Sequence, residues 1–252
     1  MGVCWSAHGT RLPRQSSGAI MDELFNGLTV TDFHDDIHRN IVSLRVSEYL
    51  YDDLSDHPEA RKAATDLEIA SKPHTYESSQ PVIARPFEEA DYNDAIEYPF
   101  SHWSSTRYSN GSFGVWYGAD TLETSIHETV HHWRFKLLKD AGWQDVEGVE
   151  VERKVYIVRC EAALLDFRAK THTHPALIDV ESYHLTHQVG TRIHHDGHPG
   201  LISQSARCEG DVYAVFNQQV LSNPRQVCYL SYRIEDGAIT VERQPGEVFL
   251  RI

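Results

Sequence analysis

The sequence predicts an α+β fold: a compact mixed sheet with flanking helices, extended at its N-terminus by further helices. Three observations lead there. Short runs rich in β-branched and aromatic residues recur at 81–84, 113–117, 155–158, 212–216 and 227–232. Two longer stretches of helical period, 121–139 and 179–194, fall between them. Finally, 252 residues with 40% hydrophobic content suffice for one sizeable core, and neither an internal repeat nor a low-complexity tract suggests a solenoid or a linker.

In chain order, residues 1–20 combine Gly, Ser, Arg and Pro without apolar periodicity, and a disordered leader is expected over 1–30. An N-terminal helical extension follows over 31–75. Ile37, Ile41, Leu44, Val46 and Leu50 recur at helical spacings, and 58–70 is acidic and Ala-rich. His57 and Pro58 mark the break between two helices, because proline is tolerated in a first helical turn but not inside a helix. Residues 76–252 are left as the main domain, with 142–150 as an insertion in it.

Charge and cysteine usage narrow the function classes. A formal charge of -14 opposes a surface built to neutralise phosphate backbones, so no nucleic-acid partner is expected. Cys4, Cys160, Cys208 and Cys228 are too far apart for a zinc knuckle or a small disulfide scaffold, which points to a reducing compartment and a cytoplasmic protein. No apolar run approaches the roughly 18 residues of a membrane span, so no membrane partner is expected.

The strongest local element is the helix expected from 121. Asp120 and Glu123 suggest a capping box, and Leu122, Ile126, Val130, Trp133 and Leu137 form one apolar stripe. His127, Glu128 and His131 fall on the opposite side. His127 to His131 fits H-E-x-x-H, in which two imidazoles one turn apart bind zinc and the glutamate acts as base. A zinc metalloprotease is therefore one reading. Against it, the chain holds 16 histidines, so the pattern arises easily by chance, and no downstream third-ligand extension follows. His184, His187, His194, His195 and His198 are expected on a solvated helix face and loop.

From Thr106 to Glu128 the sequence resembles the RES domain family. An arginine followed by an aromatic, a short strand ending in tyrosine and a small residue, then a helix bearing a glutamate are matched by Arg107, Tyr108, Tyr117, Ala119 and Glu128. The family's serine, set in a Gly-apolar-x-x-Ser-x-Arg context before a strand ending in phenylalanine, is matched within 200–207 by Ser205, with Ser203 as the alternative; Val215 and Phe216 follow. An earlier arginine at the end of a first strand is matched by Arg85, although Pro86 and Phe87 depart from the commoner pattern. The similarity spans roughly 80–220.

The resemblance implies an ADP-ribosyltransferase-like fold and a bacterial toxin of a toxin–antitoxin system that consumes NAD as substrate, without a metal. NAD glycohydrolase or phosphorylase activity is expected; protein ADP-ribosylation is the alternative, differing only in the acceptor. An Xre-type antitoxin is the implied protein partner, and a homodimer is compatible with the sequence. Arg107 and Arg85 suit the NAD phosphates, because guanidinium forks bind such anions bidentately. Glu128 suits the oxocarbenium character that develops on the ribose. Tyr108 and Tyr117 are expected to line the ligand, Tyr117 against the nicotinamide, and the Ser205 hydroxyl to bond a ribose or amide group. The catalytic set is thus Glu128, Arg107 and Ser205.

Overall fold

The computed structural model describes residues 17–43 and 91–252. The strand expected at 81–84, the helix expected at 58–70 and Arg85 lie outside the described residues.

The centre of the fold is a long strand, β3 (Glu150–Asp166), whose Val151, Val155, Ile157 and Val158 suit an extended backbone. One edge pairs antiparallel with β1 (Thr29–Val42) over the whole length of that strand. The other edge pairs first with β6 (Leu221–Glu235) and then, in parallel, with β4 (Gly200–Gln204). β4 pairs with β5 (Asp211–Val215), β5 with β2 (Trp116–Ala119), and β2 with β1 through His38 and Ala119. Five strands thus close on one another, while β7 (Ala238–Gln244) and β8 (Glu247–Arg251) extend the sheet beyond β6. Among the described residues, eight strands, one of their pairings parallel, make the mixed sheet of an α+β fold.

The helices flank it. α1 (Ser17–Phe25) is followed by α2 (Tyr98–Ser101), α3 (Leu122–His132), α4 (Lys170–Thr173) and α5 (His184–His195). α1 and α5 cover one part of the core, where Leu24, Phe113, Phe167, Leu177, Val189 and Ile193 meet. α3 covers another, with Ile126 and Val130 against Tyr232, Ile234 and Val241.

Two expectations for the N-terminal part are corrected. The first helix expected after residue 31 is, over the described residues, strand β1. Phe33, Ile37 and Ile41 lie four residues apart, a spacing that repeats on one face of a helix and equally on one face of a strand. Here they share the sheet face that meets Trp116, Tyr156 and Val158, and the ladder with β3 decides for the strand. The leader expected over 1–30 contains α1, whose Leu24 is 0% exposed. Lys170 donates to the carbonyls of Glu23 and Asn26 at the end of α1, and Gly27, at φ +68, turns the chain into β1.

Elsewhere the strands expected at 155–158, 212–216 and 227–232 fall in β3, β5 and β6, whereas 113–117 is realised only from Trp116. Gly114 explains the late start: a Cβ there would sit 2.3 Å from the carbonyl oxygen of Pro99, so the chain passes against α2 before it can pair. β4, β7 and β8 were not expected. The cap of α3 is Thr121, whose hydroxyl accepts from the Thr124 N–H, rather than Asp120 with Glu123. After His132 the helix widens into a π-turn, Trp133–Leu138. That extra residue per turn rotates the stripe, so Leu138 is 7% exposed and Leu137, expected inside, is 49% exposed.

Candidate active site

Glu128 lies on α3, on the side turned away from Ile126 and Val130, and its Oε1 accepts a 2.6 Å hydrogen bond from the Ser205 hydroxyl. Ser205 follows β4 and is only 7% exposed. Its oxygen accepts from the backbone N–H of Arg207 at 3.0 Å and of Cys208 at 3.3 Å. With its lone pairs so used, the hydroxyl has one proton to give, and it gives it to the carboxylate. The turn is seated by Gly210, where a Cβ would come within 2.2 Å of Thr124 Oγ1 at the start of α3. Ser203, the alternative serine, is buried within β4.

Arg107 is held by its neighbours. The Tyr117 hydroxyl donates to Thr106 Oγ1 at 2.8 Å and accepts from the Tyr108 N–H at 2.9 Å, bracing the residues on either side of it. His187 of α5 lies 2.8 Å from the Thr106 carbonyl, and Gly190 lets α5 lie directly on Tyr108, whose carbonyl oxygen would be 1.8 Å from a Cβ there. Arg107 Nη1 donates to the carbonyls of Leu177 and Asp179, and its guanidinium lies 4.7 Å from the centre of the Tyr183 ring. Lys136 Nζ, from the π-turn, is 4.0 Å from the same ring.

Arg207 completes the group. Its Nη2 donates to the Val180 carbonyl, and its buried Nε has no partner. Burial lowers its guanidinium from the ordinary value; Glu128 and Tyr183 oppose that shift and Arg107 adds to it. The same positive field reaches His131, whose imidazole is held down to about 4 by burial first and then by Arg207, Lys136, Arg107 and His132. Burial likewise pushes up the phenols of Tyr108 and Tyr117.

The structure therefore brings Glu128 and Ser205 into contact and sets Arg107 beside Arg207 and Tyr183. Tyr117 acts as a brace through its hydroxyl. Tyr108 is 1% exposed and packs with Phe113, Val189 and Ile193. His127 and His131 join no group of three or more His, Cys, Asp or Glu placed to hold a metal among the described residues. Sequence reasoning missed Arg207, Lys136, Tyr183 and His131 as members of this cluster. Arg207 had a signal, two residues after Ser205; Lys136 and Tyr183 come from separate elements and had none.

Fold and site together describe an α+β protein in which the Glu128 carboxylate, hydrogen-bonded by a serine, lies beside a cluster of cations. The chain belongs to the RES domain family, whose profile matches residues 82–235. α1 and β1 precede the matched region, and β7 and β8 follow it. No curated protein matches the sequence. Among solved structures, the crystal structure of the M. tuberculosis MbcT–MbcA toxin–antitoxin complex is similar at 10% identity with a TM-score of 0.42, over 79% of this chain and 86% of that one.

Proposed function

We propose that this chain is an NAD-consuming toxin that cleaves the bond between nicotinamide and ribose. Family membership supports the reading, and the observation that carries it is the 2.6 Å contact between Ser205 and Glu128 beside the guanidiniums of Arg107 and Arg207. In the reaction the C1′–N bond of NAD breaks, its electron pair leaves with nicotinamide, and positive charge develops on the ribose. Glu128 stabilises that charge and accepts from a ribose hydroxyl, while Ser205 holds the carboxylate in one orientation. Arg107 binds the diphosphate, with Arg85 as a further expected phosphate ligand. Water or phosphate then adds to C1′; a protein side chain in that place would make the enzyme an ADP-ribosyltransferase. The ADP-ribosyltransferase-like fold, the cytoplasm as compartment and a separately encoded Xre-type antitoxin as partner belong to the same reading.

Purified protein incubated with NAD should release free nicotinamide, measured by chromatography in phosphate-free buffer, with added phosphate, and with bacterial lysate proteins as acceptors. The product that accumulates with it, ADP-ribose, its 1″-phosphate or modified protein, identifies the acceptor. Absence of nicotinamide in every arm would overturn the reading.

A further inference from the structure

The segment from Leu177 to Tyr183 meets the candidate site with its backbone. Both of its ends are fixed. Leu177 lies in the short 3₁₀ turn Pro175–Ile178 and is buried with Val189 and Ile193, and Tyr183 is the residue from which α5 starts. Between them, the carbonyls of Leu177 and Asp179 accept from Arg107 Nη1 at 3.3 and 2.9 Å, and the carbonyl of Val180 accepts from Arg207 Nη2 at 3.2 Å. Arg168, Arg192 and Arg233 are held differently, by carboxylates. A carbonyl sets the direction of a guanidinium and leaves its charge in place, whereas a carboxylate also cancels that charge.

In an extended segment successive carbonyls point to opposite sides, so those of Asp179 and Val180 can both face the arginines only at a bend. The Asp179 side chain makes that bend. Its Oδ1 accepts from the backbone N–H groups of Glu181 and Ser182, both at 2.8 Å. We propose that Asp179 is a positioning residue of the candidate site, folding 179–183 into a clamp whose carbonyls aim Arg107 and Arg207. The amides of Ser182 and Glu181, ahead of the charges of Arg107 and Arg207, hold the Asp179 carboxyl below its ordinary range, so the carboxylate is committed to the backbone of its own loop. Val180 shows that the backbone carries the contact: its carbonyl meets Arg207 while its side chain stays outside, 49% exposed. At the end of the loop the Tyr183 ring lies 4.7 Å from the Arg107 guanidinium and closes the clamp.

The benefit of the clamp to NAD rests on the proposed function; the clamp itself does not. Asp179→Asn keeps an oxygen that can accept both amides and drops the charge, and Asp179→Ala drops both. Thermal unfolding checks that each variant is folded; should Asp179→Ala not fold, Asp179→Ser, with one weaker acceptor, takes its place with a smaller shift in the same direction. Asp179→Ala should raise KM for NAD about tenfold and leave kcat within about twofold of wild type, because the diphosphate lies away from the bond that breaks, whereas Asp179→Asn should stay within about twofold on both. Amide hydrogen exchange at Glu181 and Ser182 should speed up in Asp179→Ala alone. If Asp179→Asn fails as badly as Asp179→Ala, charge and not the turn is what counts, and the clamp is overturned. Faster exchange in Asp179→Ala with the KM of wild type overturns it too, since the loop then does not aim the arginines. If wild type releases no nicotinamide, the proposed function falls and the clamp is judged by itself, from rotation of the Arg107 and Arg207 Nη groups read by NMR. Hindered rotation in wild type and Asp179→Asn but free rotation in Asp179→Ala upholds the clamp; equal rotation in all three overturns it.

Discussion

Helix α3 separates two polar groups that answer their charges in opposite ways. On its sheet side, Thr129 lies 2.9 Å from the Tyr232 hydroxyl, which accepts from Asn40 Nδ2 at 2.8 Å. Arg153, only 6% exposed, donates from Nε to Asn40 Oδ1 and from Nη2 to the Asn40 carbonyl, both at 2.9 Å. No buried side-chain nitrogen or oxygen of Arg153, Asn40, Thr129 or Tyr232 is left without a partner, whereas across the helix the equally charged Arg207 has a buried nitrogen with none. Neither arginine meets a carboxylate in an ion pair among the described residues. The difference is one of closure: the Arg153 guanidinium is met by Asn40 within the protein, while Arg207 keeps a buried nitrogen that the protein does not meet.

Substitutions on the two sides should therefore fail differently. The largest effect is expected from Glu128→Gln, which keeps an acceptor for Ser205 but removes the charge that meets the ribosyl cation. Its kcat/KM for NAD should fall on the order of 100- to 1,000-fold, with thermal stability changed by less than about 1 kcal/mol. Near-wild-type turnover would move the catalytic carboxylate elsewhere. Asn40→Ala comes next. It strips one acceptor from Arg153 and one donor from Tyr232, so it should destabilise the fold by about 2–3 kcal/mol and lower Tm by roughly 5–10 °C. Turnover per folded molecule should stay close to wild type, and a folded Asn40→Ala protein that cannot cleave NAD would break the contrast between the two sides.

The sequence made part of this legible. Glu128, Ser205 and Arg107 sit in short motifs whose local order survives folding, and α3 was readable because its apolar residues repeat with one period up to Trp133. Beyond that point the π-turn changed the period, and Leu138 replaced Leu137 by a geometry that no pattern of apolar letters announces. In β1, Ile37 and Ile41 fit both the helical and the strand period, and only pairing with β3, more than 110 residues later in the chain, chooses the strand. The cation cluster was hidden for the same reason. Arg107, Lys136, Tyr183 and Arg207 are distant in sequence, and Lys136 and Tyr183 alone read as solvated surface residues.

The smallest effect, and the finest test of the contrast, concerns His131. It lies on the functional side of α3, where burial and the charges of Arg207, Lys136, Arg107 and His132 lower its pKa from 6.5 to about 4. In the unfolded chain the imidazole takes a proton near 6.5; in the folded protein it resists until far lower pH. The unfolded state thus binds more protons between those values, so His131 lowers stability progressively as pH falls from 6.5 towards 4 and has no such effect above that window. His131→Gln removes this term. Its stability relative to wild type, followed by thermal unfolding across the window, should improve steadily as the pH is lowered and stay flat above it. Under the proposed function, a diphosphate held at Arg107 would ease protonation of His131, so ADP-ribose should bring the two profiles together. If His131→Gln and wild type run parallel throughout, the positive field that Arg207 and its neighbours are said to exert at this site is too weak to govern the imidazole, and the two sides of α3 differ less than their geometry suggests.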